Sequence, residues 1–555
     1  MYFNISIVAM TIDLSTLTFT DDTDILPLLG IEKIVNSGHV YTLGGNDILT
    51  GTAIDTRDTA GFENHGTIDT GTGNDKITGT GSLSAGIDNK LGGTIDTGAG
   101  DDTITGTTST SVANFSVGIL NSGKISTGTG NDKITASGTS GIENQGSIDT
   151  GIGNDTITSS GSRYGILNSG KIATGAGQDT ISATANGARG INNDANATID
   201  TGADNDTITG SAIAYGIFNL GKIDTGTGND TITGSSSIIG IYNTGVISTG
   251  KGNDTISGSG NTATGIENIS RIDTGEGDDK IVAVSTGSNG IVNSGTIDTG
   301  CGNDSITANV TSRAVGISNS GTIDTGAGND TITSSRILNS GMIKTGSGND
   351  TITISGFDYS FDNSFKATVD TGSGNDIILS KSYSGKGINN AGTIDTGTGN
   401  DTITGSSTNG LYGIYNTGSI NLGAGNDAIT GTSPGTSGVG IYNNGAINTG
   451  SGKDIVDALA GGFGGNGNIN LGAGNDTLKG FGTGHFDGGN GQDTLIFGTG
   501  TYTVAASTNL DGFYTISNGI KEMQVKNFES IGSNADPTNL MSFATLIGHG
   551  SFVIA

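Results

Sequence analysis

The chain has 555 residues, 102 of them glycine and only three proline, with 5% aromatics; that is not the composition of an ordinary globular domain. Collagen is excluded too, since there is no strict Gly-X-Y period and almost no proline. The net charge of −30 argues against nucleic acid or an anionic membrane as partner. A lone cysteine, Cys301, permits no intramolecular disulfide. No stretch is long and apolar enough to predict a transmembrane segment.

Residues 1–34 are mixed apolar and acidic and read as an N-terminal cap over the first coil of a repeat region. The first 14 residues carry no Lys or Arg and reach Asp13 early, which makes a poor secretory signal.

From 35 to 498 one phrase recurs, Thr-Gly-x-Gly-Asn-Asp-Thr-Ile-Thr, complete at 225–233. Its aspartate stands at Asp47, Asp75, Asp102, Asp132, Asp155, Asp179, Asp206, Asp230, Asp254, Asp279, Asp304, Asp330, Asp350, Asp376, Asp401, Asp427, Asp454, Asp476 and Asp493. The spacing averages about 25 residues, a period that signals a solenoid whose coils need their neighbours to bury a core. So much Gly, Thr, Ser and Asn also suits a disordered chain, but the apolar positions are too regular for that.

Residues 216–233 show one coil. Three short β-prone pieces separated by glycine each carry one apolar residue: Ile217, Ile223 and Ile232. Period-2 alternation turns these inward, and stacking makes three isoleucine columns. Scarce proline suits such continuous ladders. Asparagine recurs 11 residues before the aspartate in most coils, from Asn36 to Asn443, and 13 before it at Asn89, Asn193 and Asn363. The distance from each aspartate to the next asparagine varies from 9 to 19 residues, so a single corner of the coil tolerates insertions. Stacked amides can satisfy backbone groups of the next coil, a structural role for this column.

The recurring turn has the chemistry of a calcium site. Glycines let the backbone fold tightly and aim carbonyls inward, and aspartate supplies a hard anionic oxygen. A plain β-turn is the alternative, since Asn and Asp both favour turns. Yet the fifth position drifts, as at Asn229, Asp278, Gln178 and Lys453, while the sixth is always aspartate.

Numbered as a nonapeptide, the phrase resembles the glycine- and aspartate-rich repeat of the repeats-in-toxin (RTX, hemolysin-type) family, Gly-Gly-x-Gly-x-Asp-x-apolar-x. The copy Gly488-Gly489-Asn490-Gly491-Gln492-Asp493-Thr494-Leu495-Ile496 matches every fixed position. The resemblance covers roughly 41–498 and implies that all 19 motif aspartates are metal ligands, with Ca²⁺ shared between stacked turns. Two features depart from the family. Position one is Thr in most copies, such as Thr70 and Thr225, and there is one motif per coil rather than two. That implies a single calcium ladder along one edge. Leu43 and Asp204 replace the usual glycines at positions two and four, and their turns are expected to bind poorly. With one divalent ion between each pair of successive turns, nineteen turns give at most 18 sites, enough to offset the net charge, so folding is expected to be linked to metal.

After Phe497 the repeat stops, and 499–555 read as a C-terminal cap. Residues 502–525 alternate like a small hairpin set, and Asn527-Phe528-Glu529-Ser530-Ile531 resembles a segment that comes after the last RTX repeat. The apolar end, Ser551-Phe552-Val553-Ile554-Ala555, resembles a type I secretion signal; a plain cap is the alternative.

The expected fold is all-β: a parallel β-solenoid, β-helix- or β-roll-like, right-handed by the crossover rule, with small end caps. The expected function is that of a secreted or cell-surface, adhesin-like calcium-binding structural protein, a rod of roughly 90 Å at about 4.8 Å per coil. Its partners would be calcium and cell-surface polymers or other surface proteins. Two other classes are open. The turns also resemble those of a calcium-dependent bacterial ice-adhesin solenoid, whose position-three Thr and position-five Asn face outward, although Ile152, Lys251 and Glu276 interrupt that pattern here. A carbohydrate-active β-helix enzyme, a lyase or epimerase, would need acid and base in one place. The histidines, His39, His65, His485 and His549, are scattered, so no catalytic residue is assigned and the chain is expected not to be an enzyme; residues 359–366 are the oddity to inspect. No amphipathic membrane segment precedes the repeats to suggest a pore-forming toxin.

Overall fold

The computed structural model describes residues 11–26, 33–53, 60–108, 116–311, 313–435, 437–508, 510, 512–547 and 550–554. His549 lies outside them, as do 1–10 and 27–32 of the expected N-terminal cap. The chain divides into two compact units, Met1–Gly287 and Ser288–Ala555. Each is a parallel β-solenoid.

In the first unit the coil around Ile217 folds as strands Tyr215–Asn219, Lys222–Asp224 and Thr231–Ser236. Each pairs in parallel with its counterpart one coil on, so that Ile217 meets Ile241, Ile223 meets Ile247 and Ile232 meets Ile256. All six isoleucines are fully buried. Burying such a side chain stabilises by about 1.5–3 kcal/mol, and each needs a neighbouring coil to do it. The second unit repeats the arrangement: Ile414 meets Ile441, Ile420 meets Ile447 and Ile429 meets Val456. The β-branched residues suit the pleat, and the polar residues between them face out.

In the coil around Ile232 two strands close on each other at glycine. A Cβ on Gly234 would sit 2.4 Å from the Gly240 carbonyl oxygen and 2.5 Å from Ile241 Cγ1. Only hydrogen fits there.

The asparagine column is buried and laddered. Asn219 Nδ2 donates to Asn243 Oδ1 at 2.8 Å and to the Val246 carbonyl at 3.0 Å, while its own Oδ1 accepts from Asn193 at 2.8 Å. The same chain of amides runs from Asn293 to Asn443 in the second unit. It satisfies backbone carbonyls at a buried corner, the structural role expected of it.

Both ends extend the stacking. Thr11–Asp13 pairs in parallel with Lys33, Ile34 and Val35, and Ile25–Leu26 with Ile48 and Leu49. After the last repeat, Gly500–Ala506, Tyr514–Ser517 and Glu522–Lys526 form antiparallel hairpins, and Ser551–Ile554 joins the edge of the first. Glu522–Lys526 then returns to pair in parallel with His485–Asp487, and Ser530–Ser533 with Thr494–Phe497. Among the described residues the single α-helix is Phe543–Leu546.

Candidate metal centre

All but two of the recurring turns are held by two glycines in left-handed or neighbouring backbone regions, as at Gly226 (φ 91°) and Gly228 (φ 137°). The turns stack so closely that a Cβ on Gly252 would sit 1.8 Å from the Gly228 carbonyl oxygen. Leu43 (φ 73°) and Asp204 (φ 77°) hold the positive φ without being glycine, at a cost of about 1–2 kcal/mol each.

The turn aspartates form a ladder of their own. The backbone N–H of Asp206 donates to Asp230 Oδ1 at 2.8 Å, and the Asp230 N–H to Asp254 Oδ1 at 2.8 Å. In the first unit this runs from Asp47 to Asp279 through Asp75, Asp102, Asp132, Asp155 and Asp179. In the second it runs from Asp304 to Asp493. The position-one threonines line the same row, each beside the aspartate of its own turn, and their hydroxyls donate to the next coil, as Thr70 does to the Thr97 carbonyl at 3.1 Å.

One carboxylate oxygen is thus used and the other is not. Oδ2 of Asp230 is buried and has no hydrogen-bond partner. The same is true in the first unit of Asp47, Asp75, Asp102, Asp132, Asp155, Asp179, Asp206 and Asp254. In the second it is true of Asp330, Asp350, Asp376, Asp401, Asp427, Asp454, Asp476 and Asp493. Folded proteins leave few buried polar atoms unsatisfied, and a buried carboxylate without a counter-charge is costly.

The electrostatics agree. Burial pushes Asp102, Asp155, Asp206 and Asp427 up to about 7. It pushes Asp254, Asp330, Asp350, Asp376, Asp401, Asp476 and Asp493 up to about 6. Asp75, Asp132, Asp179, Asp230 and Asp454 are also raised, first by burial. The ladder N–H and the position-one threonine hydroxyl, as Thr225 beside Asp230, pull back toward the ionised form, and neighbouring carboxylates add to the rise at several positions.

Among the described residues no three His, Cys, Asp or Glu side chains converge. A cation held here would therefore take the aspartate Oδ2 and complete its shell with backbone carbonyls of the stacked turns. An all-oxygen, partly carbonyl donor set fits a hard cation such as Ca²⁺ and does not fit zinc, which prefers nitrogen and sulfur.

The structure adds two residues that the repeated phrase does not cover. Asp24 N–H donates to Asp47 Oδ1 at 2.7 Å, and Asp493 N–H donates to Glu529 Oε2 at 2.7 Å. A signal exists in the sequence: Asp24-Ile25-Leu26 repeats Asp47-Ile48-Leu49, and Glu529-Ser530-Ile531 parallels Asp304-Ser305-Ile306. Asp24 differs from the others because its Oδ2 accepts the Thr20 N–H at 2.9 Å. The described histidines stay apart: His65 pairs with Glu63 at 2.7 Å, His485 meets the Asn466 carbonyl at 3.1 Å, and His39 is exposed in the strand His39–Tyr41.

No protein-family model and no curated protein matches the chain. Among solved structures, one similar chain is a hyperactive, Ca²⁺-dependent, β-helical antifreeze protein from an Antarctic bacterium, at 18% identity and a TM-score of 0.22, covering 73% of this chain and 84% of that one. At that level the likeness carries no weight for ligand or function.

Proposed function

We propose that the chain is a calcium-binding structural solenoid of the extracellular space or cell surface, folded and stiffened by ions held between stacked turns. The observation that supports this is the row of buried aspartate Oδ2 atoms without partners. Unit charges one coil apart, about 4.8 Å, repel by roughly 3 kcal/mol per neighbouring pair at an effective dielectric of about 20. Protons or cations must relieve that repulsion. The row is one per coil, as expected for a single ladder. The proposal includes export by a type I route, an adhesin-like or spacer role toward surface polymers or proteins, and no catalytic step.

The test is a Ca²⁺ titration of the chelator-treated chain followed by far-UV circular dichroism. A coil-to-β transition near 10⁻⁴ to 10⁻³ M, the range of extracellular calcium modules, and absent with Mg²⁺, is the expected result. Full β structure in chelator, unchanged by Ca²⁺, would reduce the aspartates to turn residues.

A second reading, ice binding, has one observation in its favour. On the outer edge of the turns in the second unit, Asn375 Nδ2 donates to Asn349 Oδ1, Asn400 to Asn375 and Asn426 to Asn400, each at 3.0 Å. That is a regular row of ordered amides. In the first unit the neighbouring position-three column carries an exposed Ile152 and a Lys251–Glu276 ion pair at 2.8 Å. Thermal hysteresis and ice shaping by the calcium-loaded chain would decide for it; their absence would remove it.

A further inference from the structure

One coil of the second unit is cut short. Asp330 and Asp350 are 20 residues apart, whereas the spacing on either side, Asp304 to Asp330 and Asp350 to Asp376, is 26. The missing residues come from the corner that tolerates insertions: Thr331–Ser334 passes to Ile337–Asn339 through Ser335 and Arg336 alone. The flanking coils keep their longer corners, so the short coil leaves a notch with walls on both sides. The resulting cavity is about 140 Å³, lined by Arg313, Ser335, Arg336, Phe357 and Asp358 among others. That is below the roughly 300–1,000 Å³ of a drug-sized pocket, and suits one small group.

This notch concentrates arginine in an acidic chain. The chain has six arginines in 555 residues and a charge of −30, yet two of the six line this one cavity. Arg336 Nε and Ser335 Oγ are buried and have no hydrogen-bond partner. Among the described residues neither Arg313 nor Arg336 forms an ion pair. The Arg313 guanidinium lies 4.2 Å over the Phe357 ring, which leaves its N–H edge to bind. Phe357 and Tyr383 stand 4.9 Å apart and are about half exposed. Asp358, held by Ser384 Oγ at 2.8 Å, offers an acceptor at the rim.

We propose that this notch binds the carboxylate of an acidic sugar unit. The two guanidinium groups and the Ser335 hydroxyl take the carboxylate oxygens, the geometry arginine is suited to. Phe357, with Tyr383 packed beside it, offers an apolar wall to the pyranose, and Asp358 accepts one of its hydroxyls. The site lies away from the aspartate ladder and stands apart from the calcium reading.

The experiment is isothermal titration calorimetry of the full chain in CaCl₂ with a galacturonate oligomer, a neutral glucose oligomer, sodium acetate and inorganic phosphate. Circular dichroism first establishes that each variant is folded, so a failure of calcium-dependent folding is seen separately. The uronate oligomer should bind, the neutral oligomer should not, and Arg336→Gln should weaken binding at least tenfold. Arg336→Lys, which keeps the charge and loses the fork, should fall between. Unchanged affinity in Arg336→Gln, equal binding of the neutral oligomer, acetate or phosphate binding as tightly as the uronate, or no uronate binding by the folded wild-type chain would each overturn the proposal.

Discussion

The backbone N–H of Asp493 donates to Glu529 Oε2 at 2.7 Å, so a glutamate occupies the ladder position that an aspartate fills in every earlier coil. Ser530 pairs with Thr494 and Ile531 with Leu495, which fixes the register. The turn before Glu529 lacks the glycine phrase of the earlier coils.

Glu529→Ala should leave the Asp493 N–H without its acceptor, a loss of about 1–3 kcal/mol, felt locally as faster hydrogen exchange in Ser530–Ser533 and Thr494–Phe497. Glu529→Gln keeps the oxygen and should exchange nearly as wild type. Equal protection in all three proteins would show that the hairpins alone secure this end.

Substitution in mid-ladder separates charge from hydrogen bonding. Asp230→Asn retains an oxygen for the Asp206 N–H while removing a buried charge. It should lower the calcium stoichiometry and raise the β content that remains in chelator. Asp230→Ala should destabilise the calcium-bound fold by about 1–3 kcal/mol. Calorimetric stoichiometry together with denaturant midpoints checks this, and an unaltered stoichiometry in Asp230→Asn would count against a metal role for that residue.

The metal-free chain should be more stable in mild acid than at neutral pH. The ladder carboxylates are raised above the ordinary value of 3.8, several to about 6 or 7. The folded state therefore binds more protons than the unfolded state between about pH 4 and 7, and stability rises as pH falls through that window. With calcium present the slope should reverse, because protons compete for the same oxygens. β content by far-UV circular dichroism in chelator and the melting temperature in calcium, each at pH 5 and pH 8, give the comparison; a chelator-treated chain no more folded at pH 5 than at pH 8 would break the link between proton and calcium binding.

Asn219→Ala removes a side chain that bonds to two neighbouring coils. It strands buried partners, and a loss of about 2–3 kcal/mol is expected. Asn219→Leu should be no better, since the corner carbonyls still lack a donor. Denaturant melts in calcium measure it, and a change under about 0.5 kcal/mol, the range of ordinary surface substitutions, would mean the column is not structural.

Much of this protein is legible in its sequence because the coil is a short-range object repeated. Period-2 alternation around Ile217, Ile223 and Ile232 places the three buried columns, and the nearly constant spacing from asparagine to aspartate, 11 or 13 residues, places both polar ladders. What one coil cannot show is how a side chain meets the next. That the aspartate N–H takes Oδ1 and leaves Oδ2 alone, that Asp24 and Glu529 extend the series, and that a coil six residues short opens a notch around Arg336 are facts of stacking. They are decided only when the coils come together, because a hydrogen bond or a cavity belongs to a pair of neighbours and not to either one.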